Sequence, residues 1–308
     1  MSRTLVVMPT GTGKTMVFAA ICKHWIDNSL GRVLVMAHRE ELIFQALNKI
    51  ELVTGVMPDV EMGDARADNC IVAHRSPIIV TSVQTMSREN RQKRFNPMDF
   101  SLLIIDEAHH ATAASYRRVI DYFGLNPNLR ILGVTATPDR HDEEALGQIF
   151  QTVAFEYGIQ DAILDGWLVP IEQQFIMCEG LDLSACRTTA GDLNEGDLAS
   201  IMESEKNLHG VVDPTIQLAN DSPTLVFSAS VAHAERMAEI FNRHRSGSAH
   251  CLHGKTPREE RRDKLRDFAR GGFQFLCNCG LFLEGFDETS IGVVAMARPT
   301  KSRALYAQ

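Results

Sequence analysis

Residues 8–15 read Met8-Pro9-Thr10-Gly11-Thr12-Gly13-Lys14-Thr15. An apolar run precedes it and a second apolar run follows it, in the order of a strand, a glycine loop and a helix. Gly11 and Gly13 let the backbone turn its N–H groups toward one point, where the helix start adds partial positive charge. Met8 stands where the usual phosphate loop has Gly, but Gly13-Lys14-Thr15 is intact. The stretch therefore predicts a phosphate-binding loop.

Two acidic residues supply a second half for this site. Asp106 and Glu107 follow the four aliphatic residues Leu102 to Ile105, and a buried carboxylate pair needs a compensating cation. We expect Lys14 to contact the β- and γ-phosphates, Thr15 and Asp106 to hold Mg²⁺, and Glu107 to deprotonate the attacking water. Taken alone, Asp106 and Glu107 are also compatible with an ordinary helix cap.

Composition sets broad limits on the class of protein. The chain has 308 residues, which favours two domains, and a net charge of -8, which argues against coating of DNA by a basic surface. The 7 cysteines include no Cys-x-x-Cys pair, so neither a disulfide framework nor a zinc ribbon is indicated. No signal peptide and no membrane-spanning run are evident, so we expect no membrane partner and a cytoplasmic location.

Polar residues follow several other apolar runs, at positions where parallel strands bind ligands. His38 and Arg39 follow Val33 to Ala37, and on these residues alone a solvated helix start is the simpler interpretation. Thr81 and Ser82 follow Ile78 to Val80, where phosphate contact and helix capping are equal alternatives. Two further segments are a strand ending in Thr135 and Thr137 and the basic run 88–94, which is expected to be a solvated face without a role.

The order of these motifs resembles the superfamily 2 helicases and translocases, specifically the DEAH-box branch with restriction-enzyme motors and DNA-repair helicases. The motifs are Pro-Thr-Gly-Thr-Gly-Lys-Thr, Ala-His-Arg-Glu-Glu-Leu, Thr-Ser-Val-Gln-Thr, Asp-Glu-Ala-His and Thr-Ala-Thr-Pro. The resemblance implies an α/β fold of two RecA-like domains with mostly parallel sheets and a nucleotide cleft between them. It also implies ATP and Mg²⁺ as cofactors and nucleic acid as partner, DNA more than RNA.

The resemblance also assigns roles to individual residues. It implies nucleotide contacts from the phosphate loop and, in the fifth motif, from Gly285 and Asp287; relatives usually have Thr where this chain has Leu283. Coupling of hydrolysis to movement falls to His109, Thr135 and Thr137. Adjacent His109 and His110 are not expected to bind zinc, because no matching Cys/His cluster follows. The implied nucleic-acid contacts are His38, Arg39, Thr81, Ser82, Ser228, His253 and Gly254.

The second half of the chain repeats the strand–helix pattern. We expect domain 1 over residues 1–157, a connecting region over 158–220 with a strand at 171–177, and domain 2 over 221–308. The motif order suggests a chain truncated at both ends, without the arginines of the sixth motif, and a parent protein with a possible nuclease or other domains. The expected activity is that of an ATP-dependent helicase or DNA translocase. The alternatives are an ATP-binding fragment with little turnover and an RNA-remodelling ATPase.

Overall fold

The computed structural model describes residues 2–67, 75–136, 146–178, 181–189, 191–282, 286 and 288–301. The chain divides into two compact units, residues 1–171 and 172–308, and each unit is described by itself. Both are built from parallel sheets with helices, which confirms the predicted α/β class. None of the described helices has the length and apolarity needed to cross a membrane.

Unit 1 contains a seven-stranded sheet in which every neighbouring pair is parallel, in the order β3-β4-β2-β5-β6-β1-β7. Alternate residues of these strands enter opposite apolar layers, so Leu5 and Val7 face one layer and Val6 faces the other. The strands are β1 (Ser2–Val7), β2 (Arg32–Ala37), β3 (Asp59–Glu61), β4 (Ile78–Ser82), β5 (Phe100–Asp106), β6 (Arg130–Thr135) and β7 (Thr152–Glu156).

The helices of unit 1 connect these strands. The glycine loop leads into α1, and the segment after His38 leads into α2, as the apolar periodicity predicts. Short 3₁₀ turns cover Pro97–Asp99 and Ala108–Thr112. The helices are α1 (Lys14–Asp27), α2 (Glu40–Thr54), α3 (Val83–Met86), α4 (Glu89–Gln92), α5 (Ala114–Phe123) and α6 (Ile159–Leu164).

Strand register brings the predicted motifs to one edge of the unit 1 sheet. Val7, the last residue of β1, pairs with Thr135, and Asp106 pairs with Val134 on the other side of β6. Because the strands are parallel, the segments that follow β1, β2, β5 and β6 all leave the sheet at this edge. The phosphate loop and the acidic pair are thus separated by a single strand.

Unit 2 contains a parallel four-stranded sheet in the order β11-β12-β10-β13 and a small antiparallel pair, β8-β9. Its strands are β8 (Thr188–Thr189), β9 (Asp192–Leu193), β10 (Thr224–Phe227), β11 (Ala249–His253), β12 (Phe275–Cys279) and β13 (Val293–Met296). Its helices are α7 (Glu195–Met202), α8 (Glu205–Ala219), α9 (Val231–His244) and α10 (Arg258–Ala269).

Pro214 lies inside α8 and removes one hydrogen bond from that helix. The carbonyl that loses its donor belongs to Gly210, four residues earlier. The thiol of Cys178 donates to this carbonyl over 3.4 Å and compensates in part for the missing N–H. The proline is therefore accommodated by a side chain from outside the helix.

Two sequence predictions are wrong. Residues 171–177 contain no strand; several apolar side chains there, including Phe175 and Met177, are exposed, and the additional edge strand is β7 instead. The basic run 88–94 is not simply a solvated face. Arg91 is buried against fully buried Glu61, and Arg94 donates two hydrogen bonds of 2.8 Å to the same carboxylate.

The Glu61 cluster organises the loop after β3. Arg91 also donates to the carbonyls of Gly63 and Ala65, and the Ala67 N–H donates to Glu61 at 2.8 Å. Two arginines and one backbone N–H thus meet the Glu61 carboxylate, and such pairing is the condition for placing a carboxylate in a protein interior. Sequence periodicity gave no sign of this pairing, because Glu61 and its arginines are about 30 residues apart.

Candidate nucleotide site

The phosphate loop has the backbone conformation that its glycines predict. Gly11 and Gly13 have φ angles of 85° and 91°, in the region where other residues are strained. Gly13 is the N-cap of α1, and its carbonyl accepts the first helical hydrogen bond, from Val17, at 3.1 Å. The Thr12 hydroxyl donates to the Pro9 carbonyl at 2.7 Å and closes the turn. The N–H groups at the start of α1 are therefore presented toward the loop.

Lys14 extends from the first turn of α1 toward the acidic pair. Its ammonium lies 3.4 Å from the Thr10 hydroxyl and 4.0 Å from a carboxylate oxygen of Glu107. The side chain of Lys14 is only 9% exposed, so this charge interacts under weak solvent screening. Lys14 and Glu107 are far apart in the sequence, and the structure brings the loop and the acidic pair together as predicted.

Asp106 and Glu107 are both buried at the end of β5. Glu107 has φ 49° and ψ 56°, a left-handed conformation that costs about 1 kcal/mol or more in a residue other than glycine. In this conformation the Glu107 N–H donates to Asp106 Oδ1 at 3.0 Å. The strained backbone thus directs two neighbouring carboxylates into one small region.

Burial and, to a smaller extent, the neighbouring Glu107 raise the pKa of Asp106, Lys14 lowers it, and the net result is a pKa of about 7. A cation bound nearby would favour the ionised form of this carboxyl group, whose oxygens could then act as metal ligands. The hydroxyl of Thr15 and the carboxylate of Asp106 are oxygen donors, which suit Mg²⁺ rather than a soft metal. The donor set therefore fits a magnesium nucleotide.

His109 connects the acidic pair to β6. Its Nδ1 lies 3.1 Å from the hydroxyl of Thr135, which is 1% exposed, and 3.5 Å from Glu107 Oε2. The sequence assigned His109 and Thr135 to one coupling role by resemblance alone. The structure places them in contact, whereas Thr137 lies outside the described residues.

A histidine cluster extends this connection toward β2. The His109 and His110 rings are 4.0 Å apart between centroids, and the His110 and His38 rings are 4.5 Å apart. Arg39 Nε donates to His38 Nε2 at 3.3 Å, and the exposed Gln84 side chain donates to the His38 carbonyl at 2.8 Å. Motifs that follow β5, β2 and β4 thus form one contiguous contact path from Glu107 through His38 to Gln84.

The side chains of Thr81 and Ser82 face inward, which corrects the expectation that their hydroxyls meet nucleic acid. The Thr81 hydroxyl donates to the Glu61 carbonyl at 2.8 Å. Ser82 accepts from the Thr85 N–H and caps α3, as the alternative interpretation of this segment predicts. The exposed polar group of this motif is Gln84, which the sequence analysis did not select because its exposure depends on the helix that Ser82 starts.

Unit 2 contains the other expected nucleic-acid residues. Ser228 is 3% exposed and its hydroxyl faces Met237, so this side chain also points inward. His253 lies at the end of β11, with Nε2 3.5 Å from Glu235, and Gly254 is exposed beside it. Gly285 and Asp287, the expected nucleotide contacts of the fifth motif, lie outside the described residues.

The fold and this site define a phosphate-loop nucleotide-binding protein with two α/β units, each built on a parallel sheet. Residues 1–140 match the family described as "Type III restriction enzyme, res subunit", and residues 206–308 match the "Helicase conserved C-terminal domain". Both matches are to domains of the superfamily 2 helicases, the family that the order of the sequence motifs resembles.

A similar curated protein is "Putative ATP-dependent helicase IRC3" of Saccharomyces cerevisiae, with 31% identity over 320 residues. The match covers 98% of this chain and 45% of the relative, so the chain spans about half the length of that protein.

Two solved structures have the same fold. The helicase MrfA bound to DNA has a TM-score of 0.65 and 15% identity, over 96% of this chain and 42% of the other. S. cerevisiae Dbp5 bound to RNA and ADP BeF3 has a TM-score of 0.63 and 17% identity, over 95% of this chain and 69% of the other.

Proposed function

We propose that the chain is the motor of an ATP-dependent nucleic-acid helicase or DNA translocase, in which ATP hydrolysis drives movement along the strand. The observation that supports this most directly is the meeting of Lys14 with Glu107, whose N–H donates to Asp106, beside a glycine loop of positive φ angles. A phosphate-binding charge, an oxygen donor for a metal and a candidate base are thereby collected at one sheet edge.

Each candidate nucleotide-site residue of unit 1 has a proposed role in this reaction. Pro9 to Gly13 cradle the phosphates with backbone N–H groups, and Lys14 holds them by charge. Thr15 and Asp106 hold Mg²⁺, which supplies charge neutralisation when bound. Glu107 accepts a proton from water, and it lies 4.0 Å from the Lys14 ammonium that is proposed to hold the phosphates.

Coupling is proposed to follow the contact path from Glu107 through His109 to Thr135, and from His109 through His110 to His38. These contacts are short, and they join residues that follow different strands. A change in charge at the nucleotide site is therefore expected to alter the packing at the carboxyl end of β2. Thr137 and, for the nucleotide, Gly285 and Asp287 remain part of the proposal from the sequence motifs.

The proposed nucleic-acid contacts are His38, Arg39 and Gln84 in unit 1, and His253 and Gly254 in unit 2. DNA is proposed over RNA because the matching family contains restriction-enzyme subunits and one neighbour of the same fold holds DNA. The neighbour that holds RNA makes an RNA-remodelling ATPase the second candidate. Contacts to phosphates alone do not identify the sugar, so the choice depends on measurement.

The test is steady-state ATPase activity with single-stranded DNA, duplex DNA and RNA at equal phosphate concentration. We expect stimulation of at least several-fold, and more by DNA than by RNA. Greater stimulation by RNA would identify RNA rather than DNA as the substrate. ATP binding with equally low turnover under all conditions would favour an ATP-binding fragment over a motor.

A matched variant tests the proposed surface. Arg39→Ala should reduce the slope of log K against log salt concentration by about one for DNA binding. Lys23→Ala, on the exposed face of α1 with Asp27 3.3 Å away, is the control and should leave the slope unchanged. Equal slopes for Arg39→Ala and the parent would remove Arg39 from the contact surface.

The domain limits 1–157, 158–220 and 221–308 are proposed as functional divisions, and the boundary between the two compact units falls within the middle one. Limited proteolysis with ATP present is expected to cleave first within residues 158–220. Further domains in a longer parent protein and a cytoplasmic location are also proposals, tested by the mass and the cell fraction of the endogenous protein.

A further inference from the structure

Three side chains outside the nucleotide site converge between α8 and α9 of unit 2. His209 and Asp213 are four residues apart on α8, and His244 is the last residue of α9. Asp213 Oδ1 lies 3.6 Å from His209 Nδ1 and 3.2 Å from His244 Nε2, and the three ligand atoms all lie within 4.8 Å of one another. We propose that these residues bind one divalent transition-metal ion of the zinc type.

The distances suit tetrahedral coordination. With metal–ligand bonds of about 2.0–2.1 Å, neighbouring ligand atoms of a zinc site are about 3.3 Å apart. Two of the three separations are already close to this value, and small rotations of the imidazoles are sufficient to bring in the third. Two imidazoles and one carboxylate leave a fourth position for water, and imidazole favours zinc, cobalt or nickel over magnesium.

Asp213 is unsatisfied in a way that a cation would relieve. Its Oδ1 is shielded from solvent, and among the described residues no hydrogen bond of good geometry reaches it. Both neighbours of this oxygen are imidazole nitrogens, and a neutral imidazole has one ring nitrogen without a proton, which is the atom that binds a metal. A metal ion would pair the carboxylate and both nitrogens at once.

A second layer of charges supports the site. Glu205 Oε1 lies 3.7 Å from Nε2 of His209, on the side of the ring away from Asp213. This carboxylate–imidazole arrangement orients metal-binding histidines in many proteins. Glu205 is itself held by Arg236 and, at 3.3 Å, by Arg243. The charge of Glu205 is thus balanced, which leaves Asp213 as the local negative charge.

The helices that carry the ligands are fixed by packing. Leu208 and Val212 of α8 are fully buried in the same apolar cluster as Met237 and Phe241 of α9. His244 also lies at the carboxyl end of α9, where the helix dipole favours a cation. The site is therefore largely preorganised, and metal binding would join the two helices without rearranging the core.

The test is titration of the metal-free chain with Co²⁺, followed by visible absorption and by competition with Zn²⁺ at pH 7.5. We expect one Co²⁺ per chain with the absorption of a tetrahedral centre, displacement by Zn²⁺, and no displacement by millimolar Mg²⁺. Zn²⁺ should also raise the thermal midpoint of unfolding. Asp213→Asn and His244→Ala should each weaken binding at least tenfold.

His24→Ala, which removes an exposed histidine of α1, is the matched control and should bind Co²⁺ as the parent does. The variants alter partly exposed side chains, and a circular dichroism spectrum equal to that of the parent establishes that they fold. Equal affinity of the parent and Asp213→Asn would overturn the proposal, as would the absence of a 1:1 complex. In that case the three residues form only an ion-pair network.

Discussion

His109 Nδ1 lies 3.1 Å from the hydroxyl of Thr135, which links the acidic pair after β5 to the end of β6. The same nitrogen lies 3.5 Å from Glu107 Oε2, so one imidazole contacts both a candidate base and a neighbouring strand. Thr135→Val removes the hydroxyl and keeps the shape. We expect basal ATPase activity within about threefold of the parent but loss of most stimulation by nucleic acid.

Thr4→Val is the control for that substitution, since Thr4 forms a hydroxyl contact of 3.1 Å with Thr152 away from the acidic pair. If Thr135→Val retained full stimulation, Thr135 would have no part in coupling. A parallel loss in both variants would point to a general effect of removing strand hydroxyls.

Lys14→Ala should weaken ATP binding by about two orders of magnitude, because the positive charge beside the glycine loop is lost. Fluorescent-nucleotide titration measures this effect. Lys23→Ala changes a lysine on the exposed side of the same helix and should leave the affinity unchanged. Undiminished ATP affinity in Lys14→Ala would contradict the phosphate-loop assignment.

Glu107→Gln should retain Mg-ATP binding and lower the rate of hydrolysis by about 10²- to 10⁴-fold, because the amide does not accept the proton of water. Single-turnover assays separate hydrolysis from binding. Glu51→Gln, on the exposed side of α2, is the control. A Glu107→Gln variant with the parental rate would exclude Glu107 as the base.

Glu61→Gln should destabilise unit 1 by about 3 kcal/mol, because Arg91 and Arg94 keep their charges without a carboxylate. Urea denaturation measures the change. Glu89→Gln removes a carboxylate from an exposed pair with Lys93, at the two ends of α4, and should leave the free energy of unfolding nearly unchanged. Similar small effects in both would show that the buried cluster is not stabilising.

His233 predicts a pH dependence for unit 2. Burial lowers its pKa to about 4, and its Nδ1 accepts from the Ala229 N–H at 3.1 Å. The unfolded chain binds this proton near pH 6.5 and the folded chain does not, so stability falls as the pH is lowered from about 6.5 to 4. The loss amounts to about 3 kcal/mol at most.

His233→Asn keeps an acceptor for Ala229 and does not titrate, so its stability should fall less over the same pH range. Chemical denaturation at pH 7, 6, 5 and 4 gives the two curves. Identical slopes for the parent and His233→Asn would assign the acid sensitivity to other groups.

The sequence was sufficient to predict the α/β class and the meeting of Lys14 with Glu107, because both follow from apolar runs that end in motifs. It was not sufficient for Thr81 and Ser82, since the direction of a side chain at a strand end depends on the neighbouring strand. The pairing of Glu61 with Arg91 could not be predicted from the sequence either. It depends on the order of β3 and β4 in the sheet and on the position of α4.

The His209, Asp213 and His244 cluster was missed for a related reason. Four-residue spacing on a helix is visible in a sequence, but the third residue comes from a different helix, and its approach depends on core packing. Sequence patterns within one segment therefore predict its structure better than they predict its contacts with other segments.

The place of β1 in the sheet has a consequence for synthesis of the chain. This strand is synthesised before its partners, which are β6 and β7, and Val7 pairs with Thr135. The glycine loop therefore waits without its neighbours while the ribosome adds more than a hundred residues, at about 5–20 residues per second. Nascent chains stalled before β6 should lack ATP affinity, whereas chains stalled after β7 has left the ribosomal tunnel should acquire it.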